Sequence, residues 1–208
     1  MAEKANKVKF NLKNTHYSLL TISENGTPTF GTPVPMPGSV SISLDANGEP
    51  ENFYADGGVY YVINNNCGYD GDLELALIPE SFRTDVLKET LDSKGVLIEN
   101  SEVELAAFAL LFEFDGDQKH IRHVLYNCSA SRPGIEGKTN EDSKEVQTEK
   151  LSLKAVPLAN GMVKAKTGNT TDATTYADWY KAVYVPAAEN DAATQSAAKP
   201  AKLSLIHI

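Results

Sequence analysis

The stretch Phe108-Ala109-Leu110-Leu111-Phe112-Glu113-Phe114-Asp115-Gly116-Asp117 decides the fold. Phe108, Leu110, Phe112 and Phe114 recur at every second residue, the side-chain period of a strand, and no other strand in the chain is as hydrophobic. Asp115-Gly116-Asp117 has the chemistry of a tight turn, and Ile121 to Ser131 reads as a long return strand. Toward the C-terminus, residues 136–145 are polar and charged and read as a loop. Val146 to Val156 alternates again, with Leu151 and Leu153 facing one way and Lys150, Ser152 and Lys154 the other. Gly161 to Thr167 is a further strand. Tyr176, Trp179, Tyr180 and Val183 fall at helical spacing, which predicts a short helix over Thr175 to Val183. Residues 187–202, rich in Ala among Asn, Asp, Thr, Gln and Lys, are expected to form a flexible tail.

Toward the N-terminus the same period prevails. Val8, Phe10 and Leu12 alternate with lysines and Asn11, Tyr17 to Ile22 is a second apolar run, and Asn25-Gly26 is the strongest hairpin signal, with Thr27 to Phe30 returning. Pro33, Pro35 and Pro37 cannot donate ladder hydrogen bonds, so they predict an extended connector. Val40, Ile42 and Leu44 share one face of the next strand, and Leu73, Leu75 and Leu77 share one face of another. Between them, Phe53, Tyr54, Asp56, Tyr60, Tyr61 and Tyr69 lie among glycines and asparagines in a segment, 45–70, expected to be an ordered arm. A helix over about 79–93 is predicted by Pro79 at its start, by the stripe Phe82, Val86, Leu87 and Leu91, and by Gly95 beyond its end. The sum is about eight or nine strands and one or two helices, a mainly β sandwich or open barrel with a helix packed on it.

Composition narrows function by exclusion. The chain has 208 residues, 19 Lys+Arg against 28 Asp+Glu, and a net charge of -9. That balance argues against a surface that grips nucleic-acid phosphates. No window approaches the roughly 18 apolar residues of a spanning helix, and the opening Met1-Ala2-Glu3-Lys4-Ala5-Asn6-Lys7 is not a secretory signal. Cys67 and Cys128 read as reduced thiols, at least one of them buried. His120 and His123 are three apart on a strand and so face opposite sides, which disfavours a shared metal. The Asp-Gly-Asp runs at 70–72 and 115–117 lack the spaced acidic loop that calcium needs. No phosphate loop or Gly-x-Ser-x-Gly elbow is present, and neither catalytic, metal nor cofactor residues are assigned. The tyrosines of the arm admit three readings: a mini-core packing it onto its own domain, an interface, or a carbohydrate platform. The chain is expected not to be an enzyme, and the competing reading in the enzyme class is a β-fold hydrolase with dispersed catalytic residues.

Taken in order, several runs resemble the major tail proteins of long non-contractile phages of Gram-positive bacteria. They are Asn6 to Asn14 with His16-Tyr17; Phe53-Tyr54-Ala55-Asp56 with Tyr60-Tyr61; Gly68-Tyr69-Asp70-Gly71; Leu73 to Pro79 with Phe82 to Leu87; Phe108 to Gly116; Arg122 to Asn127; and Arg132-Pro133 through Glu149. The resemblance spans roughly residues 6–186. It implies a tail-tube β-sandwich domain over 1–186 with a flanking helix, six subunits to a ring and rings stacked into a tube. The implied partners are further copies of the chain, a tape-measure protein, tail terminator and distal tail proteins, and DNA in transit, with no membrane and no cofactor. The 45–70 arm would be the inter-ring or inter-subunit contact. Acidity then suggests a lumen that DNA passes without sticking, with Glu74 and Glu113 as the lumen-facing acids. The implied location is the virion, after synthesis in the host cytoplasm. Residues 203–208, Leu-Ser-Leu-Ile-His-Ile, match the translation of CTG-TCT-CTT-ATA-CAC-ATC, the mosaic end of transposase-based sequencing libraries. They are expected to be an adapter read through at a contig edge, with the native ending, and any appended domain, lying beyond residue 202.

Overall fold

A computed structural model describes residues 4–139 and 144–186; the expected Ala-rich tail and the 203–208 segment lie outside the described residues. The chain begins with β1 (Lys9–Ile22), β2 (Pro28–Phe30), β3 (Val34–Pro35) and β4 (Ser39–Asn47), then β5 (Glu51–Ala55), β6 (Gly58–Ile63) and β7 (Gly68–Leu75). Helix α1 (Glu80–Asp85) leads to β8 (Thr90–Leu91) and β9 (Leu97–Ile98), and β10 (Phe108–Gly116), β11 (Ile121–Ala130), β12 (Glu149–Ala155), β13 (Lys164–Lys166) and α2 (Ala173–Asp178) complete the fold. Nine strands form one antiparallel sheet with the order β2-β1-β10-β11-β12-β7-β4, in which β13 pairs with β11 and β3 with β1. The two sheet ends approach each other where the Ser39 hydroxyl donates to Thr15 Oγ1 at 2.6 Å. The result is a mainly β open barrel with two short helices.

Strand β10 lies inside the sheet between β1 and β11, and its alternation feeds two cores. Phe108, Leu110 and Phe112 point into the larger one with Leu73, Leu151, Phe82 of α1 and, just past its end, Val86 and Leu87. Ala109 and Leu111 point the other way, onto Trp179 and Val183 beyond α2. A strand buried on both faces reads as a continuous apolar run, which explains why 108–112 shows no polar position. Phe82 meets Tyr17 and Phe108 edge to face, at 5.2 and 5.3 Å between ring centroids.

Several local expectations change for identifiable reasons. The two N-terminal runs form one strand of 14 residues, bent by bulges at Asn11 and Asn14, which take φ of 55° and 52°. Helix α1 is far shorter than 79–93, because Pro79 is its N-cap and Lys88, at φ 60°, turns the chain out of helical conformation. Phe82, Val86 and Leu87 remain buried, but Leu91 leaves the stripe and lies on the exposed β8–β9 hairpin, 49% accessible. Gly95 serves the turn of that hairpin rather than the helix end. A bulge between Ser39 and Ser41 leaves Val40 exposed while Ile42 and Leu44 pack on the core. Gly71, within β7, has a structural role: a Cβ there would stand 1.9 Å from the Ser43 carbonyl of β4.

Candidate functional site

Between β4 and β7 the chain leaves the sheet as a separate two-stranded hairpin, β5–β6. Its turn is Asp56-Gly57, both residues at positive φ (51° and 80°), closed by the pair Ala55 and Gly58. That is a two-residue type I′ connection, for which Asp-Gly is a strong signal. Phe53 pairs with Tyr61 and Tyr54 with Val59, so Tyr60 is the extra residue of a bulge. Its ring meets Phe53 edge to face, 6.5 Å between centroids. Every residue of β6 is exposed, and Tyr60, Tyr54, Tyr61 and Phe53 are 72%, 66%, 64% and 56% accessible. A lone two-stranded hairpin is marginal in water, and among the described residues no element of the domain packs over its rings. The mini-core reading of Phe53, Tyr54, Tyr60 and Tyr61 therefore fails, and Asp56 is a turn residue at the tip.

Tyr69 does not belong to that hairpin. It lies on β7, half-buried, packed against the larger core with the Lys164 ammonium 4.2 Å above its ring. The long asparagine run before it ends the arm, and pairing of Tyr69 with Ala46 and Ala155 returns it to the sheet.

Tyr69 instead lines a groove of about 340 Å³ at one mouth of the barrel, with Ile42 and Leu44 of β4, Phe112 and Phe114 of β10, and His123 of β11. The His123 ring stacks on Phe112, 5.1 Å between centroids and 3° from parallel. Burial, and then the charges of Lys166, Lys9 and Lys164, pull its pKa down to about 4. Lys9 also stands 4.7 Å over the Phe114 ring. The groove escapes sequence reading because six strands spread along the sequence build it. Only the Lys164 and Lys166 alternation on β13 hinted at a charged face.

The two acids expected to face a lumen part company. Glu113 is 1% exposed, because β10 is covered on both faces. Its carboxylate accepts from Asn14 Nδ2 at 2.7 Å, Arg122 Nε at 3.0 Å and the Tyr180 hydroxyl at 3.2 Å. It is an internal ion pair that ties the α2 segment to the sheet, not a lumen acid. Glu74 lies on the outer face of β7, where Ser41 and Thr148 donate to it at 2.7 and 2.6 Å and hold its pKa below the usual carboxylate value. Neighbouring Asp72 pairs with Lys150 at 2.9 Å, so this face carries mixed charge.

Cys128 is buried and Cys67 exposed, both as free thiols. His120 sits 2.6 Å from Asp115, apart from the His123 groove. Among the described residues, no three His, Cys, Asp or Glu side chains gather as a metal would require.

No protein-family model matches the sequence, and comparison with curated proteins finds no match. Among solved structures, the chain is similar to a chain of the anti-feeding prophage cap, the tube-terminating cap, at 7% identity and a TM-score of 0.43, covering 79% of this chain and 95% of that one. It is also similar to a chain of the anti-feeding prophage baseplate, at 10% identity and a TM-score of 0.45, covering 80% of this chain and 99% of that one. Likenesses of this degree carry no weight for function.

Proposed function

We propose that the chain is a structural virion protein: the tail-tube subunit of a long-tailed phage, joining five further copies in a ring and stacking ring on ring. The observation that carries the reading is the β5–β6 hairpin, which presents Phe53, Tyr54, Tyr60 and Tyr61 to solvent with no partner among the described residues. Large exposed aromatic surface on a paired, turn-closed hairpin is what a contact awaiting a second chain looks like. The resemblance in residue pattern over 6–186 supports the reading. A heterologous contact repeated around a closed ring, with stacking, is the symmetry a tube needs. In this reading the tape-measure protein occupies the tube during assembly, terminator and distal tail proteins close its ends, and DNA later passes through without specific binding. Glu74 remains the lumen-facing acid proposed, since Glu113 is internal.

Negative-stain microscopy of the purified chain tests the reading. Six-fold rings or hollow tubes are expected. Persistent monomers, with glycan binding by the monomer, would instead favour a carbohydrate-binding module built on the same tyrosines.

A further inference from the structure

We infer that the groove lined by Tyr69, Phe112, Phe114 and His123 is the receptor for the β5–β6 hairpin of a second copy of this chain. The inference rests on the self-assembly reading and names the surface that the hairpin meets. Its basis is complementarity of both shape class and charge. The hairpin is aromatic and purely acidic: it carries Glu51 and Asp56, Glu49 precedes it, and no Lys or Arg occurs anywhere between Lys13 and Arg83. The groove is aromatic and cationic. Lys9 stands 4.7 Å over the Phe114 ring, Lys164 stands 4.2 Å over the Tyr69 ring and Lys166 pairs across the strands with His123, and none of the three forms an ion pair among the described residues. Two clusters of uncompensated opposite charge, each set among exposed or half-exposed rings, are a matched pair, because charge fixes register while rings supply buried area.

Topology restricts how they meet. The hairpin leaves the sheet at Asn47 and returns at Gly68, one residue from Tyr69 of the groove. Hairpin and groove thus share one end of the barrel. A strand pair of this length reaches roughly 17–20 Å, enough to cross to a subunit standing alongside. Donor and receptor at the same end favour lateral neighbours within one ring over head-to-tail stacking, and each copy then gives one hairpin and accepts one, a heterologous contact that closes.

The test mixes isotopically light and heavy full-length chain, allows assembly, and couples carboxylates to amines with a zero-length carbodiimide. Mass spectrometry should find Glu51 or Asp56 joined to Lys9, Lys164 or Lys166 in peptide pairs of mixed isotope. The variant Lys9→Glu/Lys164→Glu should need at least roughly tenfold more protein to assemble, since attraction becomes repulsion. Adding Glu51→Lys/Asp56→Lys to the same chain should restore assembly, which a merely misfolded variant would not do. Cross-links only within one isotope, or a charge-reversed variant that assembles like the unmodified chain, overturn the inference while leaving tube formation intact. A chain that never assembles overturns both.

Discussion

Truncating Glu113 should be among the most damaging single changes outside the apolar cores. In Glu113→Ala the Arg122 guanidinium keeps its place over the Tyr176 ring, 3.9 Å from the centroid, and loses its carboxylate. Its side chain is only 16% exposed, so water replaces the lost partner poorly. Leaving one member of a buried pair uncompensated costs about 3–5 kcal/mol, and Asn14 and Tyr180 lose their acceptor as well. At about 2–4 °C per kcal/mol for a domain of this size, the melting temperature should fall by about 6–20 °C. Removing both charges, as Glu113→Met/Arg122→Leu, should cost far less, because two apolar side chains need no partner. The coupling between the sites should reach about 2 kcal/mol or more. Urea unfolding followed by fluorescence of Trp179, the sole tryptophan and 2% exposed, reads both quantities. A loss under about 1 kcal/mol for the single variant, or additivity in the pair, would refute the reasoning.

Three further outcomes follow from the same structure. His123 has its folded pKa lowered to about 4 against an ordinary value near 6.5, so the unfolded chain binds the proton first; its contribution to stability is present above about pH 6.5 and is lost as pH falls toward 4. His123→Phe should flatten the urea midpoint across that window, and an unchanged slope would contradict the assignment. Gly71→Ala should fail to fold or lose about 3 kcal/mol or more, since its Cβ meets the Ser43 carbonyl; circular dichroism melting checks it, and a near-neutral effect would mean that β4 does not pack as described. Ellman titration of native protein should find Cys67 reacting quickly and Cys128 only after denaturation, burial having pushed the Cys128 thiol up to about 12.

Strand periodicity carried most of the fold. The runs at 108–114, 121–131 and 146–156 predict β10, β11 and β12, with β12 starting three residues later than read, because period two is a local property of half-buried or buried strands. The helix over 79–93 forms but stops short: Phe82, Val86, Leu87 and Leu91 satisfy helical spacing, but Lys88 adopts a left-handed conformation that no spacing rule detects. Asn11 and Asn14 hide a single bulged strand inside two apparent ones. At the site, the aromatic arm was legible from composition, and its Asp56-Gly57 turn could have been read from the dipeptide. Tyr69 was misplaced because the run of aromatics does not mark where pairing to the sheet resumes. Glu113 was misjudged because alternation along a strand says which residues share a face, not whether the opposite face is also covered; the segment after α2 covers it through Tyr180. The groove was beyond reach, since long-range pairing sets Lys9, Phe112, His123 and Lys164 side by side on β1, β10, β11 and β13, and Ile42, Leu44 and Tyr69 line it from β4 and β7.

Self-assembly through the β5–β6 hairpin is the central claim, and sedimentation velocity of two proteins tests it most directly. One is the full chain; the other replaces residues 51–63 with a short Gly-Ser linker, leaving β4 and β7 paired. The full chain should sediment as rings or larger tubes in a concentration-dependent manner, and the hairpin-less variant as a folded monomer with the melting profile of the sheet retained. A full chain that stays monomeric at every concentration, or a hairpin-less variant that assembles as well as the full chain, would contradict the account.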